Sequence, residues 1–274
     1  MSARAVLAKG EERLAAVGIL PARREAEELL AEAWKIPRLS VHLRADPPGP
    51  EVVDRFLALV DRRATRAPIQ YVTGHAEFLG RTFQTGAGAL VPRPDTETLV
   101  EAALAALKGS PPGRALRVLE LGTGSGAVIV SLNRALEGMK HGEWVATDIS
   151  IEARARARSN AEARGCADSI RFLQGDLFAS IASEKPFDLI LFNPPYIPTS
   201  DIEVLAPEIK DWEPRVALDG GPDGVAFSPP NAPPAPGQLV PGVRALFLAG
   251  GLKTVSVEND FSRTPRVVAV QVSP

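Results

Sequence analysis

Val118-Leu119-Glu120-Leu121-Gly122-Thr123-Gly124-Ser125-Gly126 carries a short apolar run directly into three glycines spaced two apart, and Ala127 to Leu136 continues at the apolar spacing of a helix. A strand that turns through glycines into a helix presents free N–H groups at the helix N-terminus, which suit a carboxylate or phosphate, and the missing side chains let a ligand approach the main chain. Gly122, Gly124 and Ala127 also satisfy the permissive dinucleotide pattern G-x-G-x-x-A, so a nucleotide-linked oxidoreductase stays among the readings at this point. A tight turn of purely structural value is the competing account.

Toward the C-terminus the pattern repeats. Apolar runs at Arg117–Leu121, Trp144–Thr147, Ile170–Leu173 and Phe187–Phe192 read as strands, with helices at Ala127–Leu136 and Ile151–Arg164 and one ahead of them at Thr96–Lys108. Strand alternating with helix is the signature of an α/β domain on a parallel sheet. Thr254–Glu258 and Arg266–Val272, Val-rich and separated by a polar turn, are expected to pair as an antiparallel hairpin. Toward the N-terminus, Arg4 to Ala67 is rich in Ala, Leu, Glu and Arg with helical apolar spacing, as at Ala26, Leu29, Leu30 and Trp34. Pro21 suits the first turn of a second helix, and the Pro47-Pro48-Gly49-Pro50 cluster precedes a third over Val52–Arg63. Residues 68–95 hold Pro68, Gly74, Gly80, Gly86, Gly88, Pro92 and Pro94 and read as a hinge or short hairpin with no further helix. The expected division is therefore a helical domain over 1–75, a hinge or hairpin linker over 76–95 and a catalytic domain over 96–274. Six prolines between Pro229 and Pro241 predict irregular backbone over 226–242, a surface loop or linker.

Composition narrows the class. With 274 residues, 45% hydrophobic and 23% charged, the chain can bury a full core, which excludes wholesale disorder. Lys and Arg number 31 against 33 Asp and Glu, a balance that gives no global attraction to duplex DNA or an anionic membrane. The single Cys166 excludes an intramolecular disulfide framework and a cysteine-built zinc site and points to the cytoplasm. No run approaches the length of a membrane span, and charges break the N-terminal apolar stretch too early for a secretory signal. His42, His75 and His141 lack metal-ligand spacing, so no metal is expected. Trp34, Trp144 and Trp212 read as packing residues, and Glu152 to Arg158 as a solvated helix face.

Three further elements sit at strand ends. Asp148 closes the second strand, where an acidic side chain can accept hydrogen bonds from both hydroxyls of a ribose; capping the helix that starts near Ile151 is its alternative. Asp176 and Leu177, after the third strand, are placed to meet an adenine amino group and ring, or Asp176 simply forms a turn. Asn193-Pro194-Pro195-Tyr196 follows the fourth strand, at the edge where open α/β sheets bind ligands. The prolines stiffen this loop, the Asn193 side-chain carbonyl and the Pro194 main-chain carbonyl are uncharged acceptors for the two hydrogens of a planar NH2 group, and Tyr196 can cover its flat face. An amide or aromatic amine is a poor nucleophile because its lone pair is delocalised; fixing it and stabilising the positive charge that develops on nitrogen favours electrophilic transfer. Methyl transfer from S-adenosyl-L-methionine fits that need.

At these residues the chain resembles the N5-glutamine methyltransferases of class-1 peptide chain release factors, the family often called HemK or PrmC. Pro68-Ile-Gln-Tyr-Val-Thr-Gly74, Glu77-Phe78, Gly80, Phe83 and Val91-Pro-Arg-Pro-Asp-Thr-Glu97 are similar to the family's segment between its helical and catalytic domains, and Glu213-Pro-Arg-Val-Ala-Leu218, Gly220-Gly221 and Asp223-Gly224 to its later signature. The resemblance implies a class I S-adenosylmethionine-dependent methyltransferase domain, Rossmann-like α/β, behind a small N-terminal helical domain. It implies that Gly122, Thr123, Gly124, Ser125, Gly126, Asp148, Leu177 and Asn193 hold S-adenosyl-L-methionine. Asn193, Pro194, Pro195 and Tyr196 would bind the glutamine of a Gly-Gly-Gln motif, with Asn193, Pro194 and Tyr196 catalytic. The helical domain would help recognise the release factor, and Arg93 and Glu97 would order the cofactor cover.

The chain departs from that pattern in one place. A strand of the family's sheet, beside the one leading to Asn193, is expected to be missing near 226–245, which would leave ladder groups unpaired and the loop poorly supported. Methylation of a ribosomal-protein glutamine by a sister family, with the same catalytic loop, stays open, and two further alternatives accompany the main reading. Asn-Pro-Pro-Tyr alone also occurs in adenine-N6 nucleic-acid methyltransferases, although no basic groove is evident and direct nucleic-acid binding is not expected. The other is a catalytically impaired homologue that binds release factors without turnover.

Overall fold

The computed structural model describes residues 2–107, 115–136, 142–224 and 226, together with the backbone of 108, 253–259 and 265–271. The chain forms two compact units, one of Met1–His75 with Ala206–Trp212, the other of Ala76–Leu205 with Glu213–Pro274.

In the first unit, α1 (Ala3–Ala16) starts at Ser2, whose hydroxyl accepts the Ala5 amide at 3.3 Å. Helix α2 (Ala22–Trp34) follows Pro21 and stops where Lys35 turns left-handed, and α3 (Pro50–Ala64) opens on Pro50, whose missing N–H costs nothing in a first turn. Leu7, Leu14, Leu29, Leu30, Phe56 and Val60 bury the facing stripes of these helices. Arg63 is buried beside them, donating to both carboxylate oxygens of Glu25 at 2.6 and 3.1 Å and to Glu208 at 3.0 Å. Glu208 lies on a single helical turn, Pro207–Lys210, and also accepts Arg66 at 2.8 Å. Residues 68–95 are not free of helix as their turn formers predict: a further helix, α4 (Ile69–Thr73), lies within them. Pro68 and Gly74, taken as turn formers, are its two caps, and a helix of five residues is too short to show a period.

The second unit, from Ala76 on, takes in the rest of β1 (His75–Phe78) and β2 (Arg81–Gln84), joined through Leu79 and Gly80, both at positive φ as a two-residue hairpin of matched twist requires. Then follow α5 (Glu97–Lys108), β3 (Arg117–Leu121), α6 (Ala127–Ala135), β4 (Glu143–Asp148), α7 (Ile151–Ala163), β5 (Ile170–Gln174) and β6 (Leu189–Phe192). The strands form a parallel sheet in the order β5-β4-β3-β6, as the alternation of strand and helix predicts. Along β3 the period of two sends Val118 into the core shared with α5 and α6, and Leu119 and Leu121 to the opposite face with Val145 and Ile181. Trp144 packs in the first of these cores. Backbone strands β7 (Lys253–Asn259) and β8 (Pro265–Gln271) pair antiparallel, as the Val-rich tail predicts. The irregular stretch expected over 226–242, and the interruption expected near 226–245, lie outside the described residues apart from Ala226.

Candidate active site

Register decides where the site lies. Leu121 pairs with Thr147 on one side and Phe192 on the other, and Asp148 pairs with Gln174, so the residues leaving four strands emerge along one edge: Gly122, Asp148, Gly175 and Asn193. The chain runs outward from β3 in both directions, which makes the gap between β3 and β6 a switch point where parallel sheets open a crevice. A cavity of about 310 Å3 occupies this edge, within the range of small-molecule sites. Gly122, Thr123, Gly124, Ser125, Asp148, Asp176, Leu177, Asn193 and Pro195 line it, joined by Glu120 and Arg93. Gly126, Pro194 and Tyr196 do not, and the Tyr196 ring is exposed.

The glycine turn is built by backbone strain that only glycine carries cheaply: Gly122, Gly124 and Gly126 have φ of +62°, +56° and +79°. A methyl group on Gly126 would sit 2.9 Å from Cα and Cβ of Ala157, so the third glycine is there for close approach of α7, which explains its absence from the lining. Asp148 locks the turn to the neighbouring strand. One of its oxygens accepts the Gly124 amide at 2.8 Å and the other the Ser150 amide at 2.9 Å, leaving a lone pair on each for a ligand. Ser150 caps α7 through its own hydroxyl, so Asp148 is not needed for that. Leu177 is held left-handed at φ +44° beside the cavity.

Beyond Asn193 the loop is held by a later segment. Ile197 donates to Leu218 O at 3.0 Å and accepts from Gly220 at 2.9 Å, while the Thr199 hydroxyl donates to Asp219 at 2.6 Å. Gly224 lies so near that a Cβ there would stand 2.5 Å from the Tyr196 carbonyl oxygen.

Three site residues escaped the sequence reading. Glu120 is buried in β3 and lines the cavity, and burial, reinforced by Asp148, pushes its carboxyl up to about 8 against bonds donated by Thr123 and Ile129. Asn160 is buried and donates to Ser125 O at 2.8 Å and Gln84 O at 3.1 Å, tying the glycine turn to β2. Glu213 accepts from Arg93 and from the Val91 amide. Glu120 stands inside the Val118–Gly126 stretch and Glu213 opens the Glu213–Leu218 segment, yet neither pattern gives its carboxylate a role, and Asn160 stands in no such pattern. Glu97 accepts the Leu79 amide at 2.8 Å and so holds the hairpin turn, outside the cavity lining.

A groove of about 790 Å3 in the first unit, lined by Arg4, Arg23, His42, Arg44 and Asp46 among others, holds none of these residues. Among the described residues no group of three or more His, Cys, Asp or Glu is placed to hold a metal ion, and no helix is long and apolar enough to cross a membrane.

Residues 5–74 match a family model described as the PrmC N-terminal domain, and residues 118–212 one described as a methyltransferase domain. A release factor glutamine methyltransferase of Geobacter sulfurreducens is 40% identical over 252 residues, covering 92% of this chain and 85% of its own. The chain belongs to the release factor glutamine methyltransferase family. Its relative in Cereibacter sphaeroides is also 40% identical, over 276 residues and 95% of each chain, and that of Moorella thermoacetica is 39% identical over 262 residues, 95% of this chain and 87% of the relative. The crevice at the carboxyl edge of β3, β4, β5 and β6 therefore belongs to a methyltransferase domain.

Proposed function

We propose that this methyltransferase uses S-adenosyl-L-methionine to methylate the side-chain nitrogen of the glutamine in the Gly-Gly-Gln motif of class-1 peptide chain release factors, in the cytoplasm. The observation that carries the reading is the meeting, at one cavity, of the glycine turn and Asp148 with Asn193 and Pro195. The fit to an adenosine-bearing cofactor rests on the donor set: two free Asp148 lone pairs for ribose hydroxyls, Asp176 for an amino group, Leu177 for a ring face, and backbone at Gly124 where a Cβ would meet nothing within 4 Å.

When bound, the cofactor would supply a sulfonium methyl group as electrophile, the S–CH3 bonding pair staying on sulfur as a neutral thioether. The chain's part is to hold the nucleophile. The Asn193 side-chain carbonyl and the Pro194 main-chain carbonyl accept the two amide N–H groups of glutamine, orient the nitrogen and stabilise the positive charge it acquires as the N–C bond forms. Neither acceptor is ionised, so neither takes the proton; it leaves to solvent after the bond is made. Tyr196 covers the amide plane, and the helical unit recognises the release factor.

Calorimetric titration of the purified protein with S-adenosyl-L-methionine, followed by methyl transfer to a release factor and to its Gly-Gly-Ala variant, tests this. Transfer to the first alone supports the reading. Binding without transfer leaves a release-factor-binding homologue, and transfer to DNA or RNA replaces the protein substrate by adenine.

A further inference from the structure

We propose that Glu213 is a positioning residue that holds the Asn193–Tyr196 loop in place by latching the segment supporting that loop onto Arg93 and Val91; this rests on the function proposed above. The contacts form a closed ring around the cavity. Asn193 Nδ2 lies 3.5 Å from Thr96 Oγ1, and the Thr96 amide donates to Arg93 O at 3.0 Å. Arg93 donates to Glu213 Oε1, and the Val91 amide donates to Glu213 Oε2 at 3.3 Å. From Glu213 the chain runs through Pro214, Val216 and Ala217, which line the cavity, to Leu218 and Gly220, which pair with Ile197 next to Tyr196.

Burial and charge single out Glu213 within this ring. Its side chain is 1% exposed, whereas that of Arg93 is 34% exposed at the cavity. A carboxylate removed from water to that degree is expensive unless its bonds are made, so the fold has a reason to keep both of them. Burial pushes its carboxyl above the usual carboxylate range, while Arg93 and the Val91 amide draw it back toward the charged form. Without the latch, residues 213–217 lose their attachment to 91–93, and Ile197 keeps partners that are themselves free to shift. A shift of about 1 Å in a positioning group can cost on the order of a hundredfold in rate.

The test uses the full-length protein and the variants Glu213→Gln, which keeps an acceptor for Val91 and loses the ion pair, and Glu213→Ala, which loses both. Hydrogen exchange is read at the Ile197 and Thr199 amides, with the Val145 amide in β4 as control. Protection at Ile197 and Thr199 is expected to fall about tenfold in Glu213→Gln and further in Glu213→Ala, with Val145 unchanged. With release factor and saturating S-adenosyl-L-methionine, kcat is expected to fall about tenfold or more. Wild-type protection at Ile197 and Thr199 in folded Glu213→Ala overturns the latch, as does an equal loss at Val145 or an unchanged kcat. The exchange arm needs no substrate. A wild type that methylates no release factor therefore ends the proposed function while leaving the latch to be judged by exchange.

Discussion

Glu120 accepts the Thr123 hydroxyl at 2.6 Å from inside a buried strand, and the same oxygen accepts the Ile129 amide at 3.2 Å. The bonds tie β3, the glycine turn and α6 together through a side chain that burial keeps protonated to about pH 8. In the unfolded chain the same group ionises near 4.5, so between these values the folded state binds the extra proton and stability falls as pH rises, levelling off above about 8. At about 1.4 kcal/mol per unit the loss is on the order of a few kcal/mol. Urea denaturation of wild type and Glu120→Gln at pH 5.5 and 8.5 checks this. The variant is expected to gain on wild type with rising pH, and parallel profiles would show that Glu120 ionises normally.

Asp148→Ala is expected to weaken binding of S-adenosyl-L-methionine by about 10- to 100-fold, the loss expected of hydrogen bonds to a charged acceptor. Calorimetry reads the affinity, and a melting curve within a few degrees of wild type shows that the turn has survived without its bond to Gly124. Unchanged affinity would move the ribose elsewhere.

Gly126→Ala is expected to destabilise the protein by about 2–4 kcal/mol, because it adds left-handed strain to a collision with the main chain of Ala157. Gly124→Ala meets no atom within 4 Å and carries the backbone cost alone, about 1–2 kcal/mol. The order of the two, measured by chemical denaturation, separates crowding from strain.

Gly10 lies inside α1, where alanine would normally help by about 1 kcal/mol. Here its Cβ would stand 2.4 Å from Cζ of the buried Phe56 ring. Overpacking of this kind costs about 1–3 kcal/mol, so Gly10→Ala is expected to lower the melting temperature, and a rise would show that the Phe56 ring yields.

The parallel sheet was legible because its strands are short apolar runs that end at glycine, an acid or, in β6, Asn193, patterns that local sequence carries by itself. Strand β3 spans Arg117–Leu121, the same residues its apolar run predicts. The meeting of Gly122, Asp148 and Asn193 followed from their shared position at strand ends, since a parallel register brings such ends to one edge. What failed to show depended on distance along the chain. Arg93 and Glu213 stand 120 residues apart, and nothing near either marks it for the other. Helix α4 was hidden for the opposite reason: it is so local that its caps look like the punctuation of a loop. Glu120 reads like any strand residue until its face is known, because only packing decides that it points into the core beside Val118 and not toward solvent.

The excursion of Ala206–Trp212 into the helical unit makes that unit a composite, threaded by the chain twice. A fragment ending at residue 75 would carry Arg63 and Arg66 without Glu208, and leave the helical core short of the Trp212 that packs on it. A family description over residues 5–74 thus marks out a stretch of inheritance, while the compact unit includes seven residues encoded far downstream, so a cut at a single boundary parts Glu208 and Trp212 from the residues they meet.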